Sequence, residues 1–501
     1  MNTNRRIIEN VYKKVCGILI IIIVITSNFI GTEVKAETTF DVKKVDQFMD
    51  TAMKRFKIPG ASLGIVKGDK IVYLNGYGIA GPNHQPVTPQ TPFVLGSTSK
   101  SFTALAIMQL VDKGMIDLEA PVQRYLPWFR VADEEASKKI LVKDLLHQTS
   151  GLSTYDGRVS LTHGNKSIEE HIRSLKNTAL TKPVGSVFQY SNLNYDILSG
   201  IVQAVSQESY TQYVRNHIFE PINMNHSYGN SKEAKNDGLA TGYQPLFGFM
   251  VPTKQLNHEA TVASGYLIST AEDMSNYLIT QMNRGRFKSN VILSEESTKR
   301  MHKPSSSMRG GPSYAMGWSV NKNVIFHDGL TENTYSFMAM EGEYGFILLT
   351  NAQDPLISYD SIIAGINGIV HGQDRSQADM PDYTKIYLIV DLVALVVLAL
   401  VTRSIYSLFK WRKKHKTTPA RTVINVLFIL IFNILSSLAV LFLLPKITSV
   451  PWSAITLFMP GVGHLLYYLS ILLLCVGVLK MVLIIRIHIT KNKTKGLIHM
   501  E

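Results

Sequence analysis

Hydrophobic positions fall into two regimes along this chain. Residues 61–66 and 71–77 are short runs rich in Ile, Val and Tyr, and the turn residues Lys67-Gly68-Asp69-Lys70 between them predict an antiparallel hairpin. Residues 323–326, 334–340 and 345–350 repeat the pattern far downstream, separated by Gly329 and by Glu341-Gly342-Glu343, and are expected to complete the same sheet. Between the two strand groups the apolar spacing changes to three and four, which predicts helices over 101–113, 195–205 and 271–282. The expectation is an α+β fold: an antiparallel sheet flanked by helices with a mainly helical insert, and a cleft where the layers meet.

The second regime is continuous apolarity at the ends. Arg5, Arg6, Lys13 and Lys14 precede an apolar run over 17–30 and the small-residue end Val34-Lys35-Ala36, so residues 1–36 read as a signal peptide or an uncleaved signal anchor. Near the other end, 386–402, 422–444 and 463–480 are each about long enough to cross a bilayer core. Asp391 within the first is read as an interfacial or helix-facing charge, without a mechanistic role. The loop over 403–421 holds seven Lys or Arg residues and no acid, which puts it in the cytoplasm. The globule, 37–381, and the connection 445–460 then lie outside, while the membrane domain, 382–501, ends with a cytoplasmic C-terminus.

Composition adds exclusions. The 501 residues carry a net charge of +13, but the densest basic cluster, Lys410 to Lys416, sits between two apolar runs and reads as a topology signal. No part of the globule interleaves cations with aromatics as a nucleic-acid groove does, so nucleic acid is excluded as a partner and membrane lipid takes its place. The only cysteines, Cys16 and Cys475, lie in apolar end segments, so the globule has no internal disulfide.

Candidate chemistry gathers in three clusters. Phe93-Val94-Leu95-Gly96-Ser97-Thr98-Ser99-Lys100 precedes an apolar helix, and Ser97 and Lys100 at that spacing share one face of a first turn, where free N–H groups favour developing negative charge. A serine hydroxyl needs a base, and a lysine kept partly neutral by burial can serve. Tyr190-Ser191-Asn192 lies just ahead of another helix, where a tyrosine hydroxyl can relay a proton. His327-Asp328-Gly329 ends a strand, and its glycine permits close approach of a substrate backbone.

In this order and at these separations the clusters resemble the active-site elements of the serine β-lactamase and penicillin-binding-protein superfamily. The Tyr-Ser-Asn element and the segment Leu145 to Leu152 are similar to the class C-type branch, which includes D,D-carboxypeptidases, D-aminopeptidases and esterases. The resemblance spans about residues 42–372. It implies an acyl-enzyme on Ser97, proton exchange through Lys100 and Tyr190, a substrate-amide contact from Asn192, and an oxyanion hole from the N–H groups of Ser97 and Leu330. His147 carries no role in it, and it implies neither metal nor cofactor. One departure is His327-Asp328-Gly329 where penicillin-recognising members carry Lys-Thr-Gly. A largely neutral imidazole replaces an ammonium, which weakens carboxylate recognition and favours D-amino-acid peptides or esters of the cell envelope over efficient β-lactam hydrolysis. Two functions follow: a membrane-anchored serine hydrolase on the bacterial cell surface, or a non-catalytic or slowly acylating envelope-binding or β-lactam-sensing protein. The natural substrate and the oligomeric state are not legible.

Overall fold

The computed structural model describes residues 40–162, 166–256, 258–308, 310–373, 380–411 and 418–498, so the export segment expected over 1–36 and part of the basic loop lie outside the described residues. The strands are β1 (Gly60–Lys67), β2 (Lys70–Gly78), β3 (Phe93–Val94), β4 (Tyr243–Leu246), β5 (Phe249–Pro252), β6 (Ile268–Ser269), β7 (Arg286–Phe287), β8 (Asn290–Val291), β9 (Ser306–Ser307), β10 (Ser313–Tyr314), β11 (Ser319–Asn321), β12 (Val324–Leu330), β13 (Tyr335–Glu341) and β14 (Tyr344–Thr350). Eight of them form one sheet in the order β2-β1-β14-β13-β12-β11-β10-β9, and every pairing is antiparallel. Both strand groups therefore join one sheet, as expected, with β1 paired to β14 from Ala61↔Thr350 to Lys67↔Tyr344.

The central strands are apolar at successive positions because both faces are covered. Phe346 and Leu348 of β14 pack with Val45, Phe48 and Phe56 of the helix Val42–Phe56, whereas Ile347 and Leu349 belong to the larger core on the other side. The helix Asp360–Val370 completes the first layer, and its Gly365 lies so close to the Phe48 ring that a Cβ there would overlap it. Truncating Phe48 to Ala in this layer would cost about 3–5 kcal/mol. On the other face lies the helix Ala271–Met282, capped by Thr270, whose side chain accepts from the Asp273 N–H, with Glu272 and Asp273 complementing the first turn. The helix Ser99–Asp112 is buried on all sides from Ser99 to Leu110, which makes it the axis of the helical insert.

Three C-terminal helices are long and apolar enough to cross a membrane: Tyr383–Leu408, Ala420–Thr448 and Val462–Ile487. They are longer than the apolar runs suggested, so Lys480 lies within the third helix. Its Nζ donates to Ser404 Oγ of the first (2.8 Å), which also accepts from Asn433 Nδ2 of the second (3.1 Å). This polar node ties the three helices together by side-chain hydrogen bonds. A π-helical stretch, Leu430–Leu435, contains Asn433.

The connection after the second helix is not a bare loop. Its helix Trp452–Phe458 packs on the globule. Arg158 donates to the carbonyl oxygens of Thr448 (3.2 Å) and Ser449 (3.0 Å), and Gln244 Nε2 donates to that of Leu457 (2.7 Å). Phe458 packs against the small cluster of Val94, Leu161, Tyr266 and Ile268.

Candidate active site

The serine is placed by a turn that only glycine fits. β3 pairs with β6, and the chain then reverses at Gly96, whose φ of +59° is left-handed and whose missing Cβ would overlap the Leu330 nitrogen and Gly329. A short 3-10 turn, Gly96–Thr98, leads into the helix Ser99–Asp112, so Ser97 precedes the helix proper instead of lying in its first turn. Thr98 Oγ1 donates to the Leu95 carbonyl (2.8 Å) and lies 3.0 Å from the Ser336 hydroxyl of β13, which also bonds Leu95, so the turn is tied to the sheet.

Lys100 is fully buried. Its Nζ lies 3.0 Å from Ser97 Oγ and 2.8 Å from Asn192 Oδ1, and it also donates to the Ser264 carbonyl. The last two partners accept only, so they take two N–H bonds of a neutral amine and leave its lone pair for the serine proton. Burial pushes the lysine from 10.5 down to about 7, while the charges of Asp196 and Asp328 pull the other way. Asp196 is buried on the Asn192 helix, 3.1 Å from His171 Nε2, and its Oδ1 has no hydrogen-bond partner among the described residues.

Tyr190 lies beside Ser97, and Lys100 Nζ stands 4.9 Å from the centre of its ring. Burial, helped by neighbouring Tyr314, holds the Tyr190 hydroxyl well above its usual range, so it stays protonated. Asn192 begins the helix Asn192–Ser206. Its amide nitrogen donates to the Gly157 carbonyl (3.1 Å), so both ends of the side chain have partners within the protein, and a substrate-amide contact falls to the second Nδ2 hydrogen. Gln148 holds this loop: its Oε1 accepts from the Ser191 N–H (2.9 Å) and its own carbonyl accepts from Gln189 (2.8 Å). Neighbouring His147 is half-buried, and the loss of solvent around it pushes it down to about 4.

β12 supplies the far wall. His327 is 3% exposed, with Nδ1 donating to the Asp328 carbonyl (2.6 Å) and Nε2 facing the Tyr314 hydroxyl (3.5 Å). Burial first, then Lys100, lowers it from 6.5 against the opposing pull of Asp328, so it is neutral at pH 7. Its ring centroid lies 6.4 Å from that of Tyr190. Gly329 approaches the serine turn closely: a Cβ there would overlap the Leu95 carbonyl oxygen and stand 3.0 Å from the Ser97 nitrogen. The Leu330 nitrogen faces Gly96, and its side chain is 45% exposed. Ser97, Lys100, Tyr190, Asn192, His327, Gly329 and Leu330 thus converge on one place between sheet and helices.

Four participants escaped the sequence reading. Ser264 acts through its backbone, which no residue type announces. Tyr314 is a buried tyrosine without a motif, its ring edge-on to both Tyr190 (6.2 Å) and His327 (5.9 Å). Asp196 had a signal, an acid within an otherwise apolar helix pattern. Gln148 lay in a segment noticed for its resemblance alone. Among the described residues no cluster of His, Cys, Asp and Glu is suited to a metal.

Known proteins resemble this chain in sequence and in fold. Protein flp of Staphylococcus aureus (strain MW2) is 31% identical over 319 residues, 62% of this chain and 63% of flp, so the match spans just under two thirds of that relative. Putative penicillin-binding protein PbpX of Bacillus subtilis (strain 168) is 28% identical over 320 residues, 62% of this chain and 76% of PbpX. The octameric penicillin-binding protein homologue from Pyrococcus abyssi superposes with a TM-score of 0.57 at 27% identity, covering 66% of this chain and 78% of that one. FmtA from Staphylococcus aureus superposes with the same score at 21% identity over 66% and 89%, a likeness of fold alone. The Beta-lactamase family profile matches residues 45–362, which include most of the helix Val42–Phe56, the whole sheet and every residue of the candidate site. The chain therefore belongs to the Beta-lactamase family and has the fold of its penicillin-binding-protein-like members.

Proposed function

We propose that this protein is a membrane-anchored serine hydrolase that forms an acyl-enzyme on Ser97. One observation carries the reading: a fully buried lysine with an amine 3.0 Å from the serine oxygen, its other partners being acceptors only. Neutral Lys100 takes the Ser97 proton as Oγ bonds the substrate carbonyl carbon, and the resulting oxyanion accepts from the N–H groups of Ser97 and Leu330. The Tyr190 hydroxyl gives its proton to the departing amine or alcohol and regains one from Lys100. Water then attacks the acyl carbon and restores the serine.

The substrate class is D-amino-acid peptides or esters of the cell envelope. The neutral, buried His327 supports it, because it offers no fixed cation to a substrate carboxylate. Three apolar helices and the basic loop over 403–421 support a globule outside the membrane and a C-terminus within the cell. The relative named as a putative penicillin-binding protein makes β-lactams natural probes of Ser97.

The test is incubation of the full chain in nanodiscs with a fluorescent penicillin, a D-alanyl ester and a chromogenic short-chain ester, beside Ser97→Ala. Turnover that disappears in the variant is the expected result. Stoichiometric labelling without turnover would replace hydrolysis by the sensing function, and no labelling of Ser97 by any probe would end the acyl-enzyme reading.

A further inference from the structure

The hairpin β4–β5 has a tip of unusual composition. It reverses through Phe247 and Gly248, at φ +48° and +75°, between Leu246 and Phe249, which pair directly. Positive φ at both central positions is the type I′ turn, in which Asn, Asp or Gly normally stand. A phenylalanine there is strained, and strain of this kind persists where something other than local preference selects the residue. The tip is also apolar and open, with Leu246 38% and Phe249 73% exposed.

Its neighbours fix its height above the bilayer. The Leu246 and Phe247 side chains abut Gly461, the residue before the third apolar helix, and Gly248 sits against Tyr387 in the second turn of the first. Lys57 donates to the Gly248 carbonyl (3.0 Å) with its ammonium 4.9 Å from the centre of the Tyr383 ring. At the same end of the bundle stand Tyr383 and Tyr387, stacked 4.7 Å apart, and Trp452 and Tyr467, 5.0 Å apart. Such aromatics mark the layer where headgroups meet acyl chains.

We propose that the tip Leu246-Phe247-Gly248-Phe249 is a lipid-binding surface, inserted into the headgroup and upper acyl region of the phospholipid leaflet that surrounds the outer ends of the three helices. Its continuity with two of those helices commits it to a bilayer and not to a soluble partner. Phe249 then meets lipid instead of water, and Lys57 stands at the level of the lipid phosphates. The inference concerns where the globule rests and holds whether or not Ser97 is catalytic.

The test is spin-label depth measurement on the full chain in phosphatidylglycerol–phosphatidylcholine nanodiscs. Labels are placed at Phe249→Cys and, separately, Leu246→Cys in a Cys16→Ser, Cys475→Ser background. A control label at Asp69→Cys sits at the opposite end of β1. Phe249 is mostly exposed, so its replacement removes little packing. The expected result is greater accessibility to oxygen than to a water-soluble nickel chelate at both tip positions, with the order reversed at Asp69→Cys. Nickel accessibility at the tip equal to that of the control would overturn the proposal.

Discussion

The pH dependence of acylation is set by how far burial carries Lys100 from its ordinary behaviour. At 10.5, roughly 3 lysines in 10,000 are neutral at pH 7, whereas at about 7 one half are, a gain of about 10³-fold in available base. If the neutral amine takes the Ser97 proton, the acylation rate rises with pH, from roughly a tenth of its plateau at pH 6 to about nine tenths at pH 8. Single-turnover acylation, followed with a fluorescent penicillin between pH 5.5 and 9 and confirmed by intact mass, measures this curve directly. Lys100→Ala should lower the plateau by about 10²–10⁴-fold and remove the midpoint. Burial moves His327 below 6.5, away from the Lys100 midpoint. A flat profile across the range, or a midpoint near that of a free lysine, would refute the general-base assignment. The same shift has a stability sign: between about 7 and 10.5 the folded globule binds fewer protons than the unfolded chain, so this lysine's contribution to stability grows as pH rises through that window.

Gly329→Ala should cut kcat by about 10²–10³-fold, as loss of an oxyanion donor does, because its Cβ would force β12 away from the Ser97 turn; steady-state kinetics on the ester probe measures it. Asp196→Asn should move the acylation midpoint to lower pH, since its charge opposes the depression of Lys100; an unmoved midpoint counts against the coupling. His327→Lys should raise kcat/KM for substrates with a free carboxylate and also lower the Lys100 midpoint by adding a nearby cation, both readable from the same pH–rate series.

Much of the architecture was legible because its signals are local. The hairpin turn at 67–70 and the strand runs announced five strands of the sheet, and three of the helices began within three residues of their expected positions. β9, β10 and β11 were not legible: runs of two or three residues carry no period, and each is defined by the strand it adds to, β11 on β12, β10 on β11 and β9 on β10. The candidate site was legible where a side chain stands in a motif, as at Ser97, Lys100 and Tyr190, which the fold brings together. It was opaque where backbone or burial does the work, as with the Ser264 carbonyl and Tyr314. The contact between residues 448–458 and the globule was equally opaque, since it joins surfaces 213 to 291 residues apart through main-chain oxygens.

The pairing of β1 with β14 governs how this protein is made. Ala61 meets Thr350 only after nearly the whole globule has been synthesised, about 290 residues later, and closures of that length are slow. During synthesis the first hairpin emerges early and must wait with an open edge, a target for proteases and for mispairing. A ribosome stalled before residue 350 would therefore leave a chain that cannot complete its sheet, whatever the state of its helices.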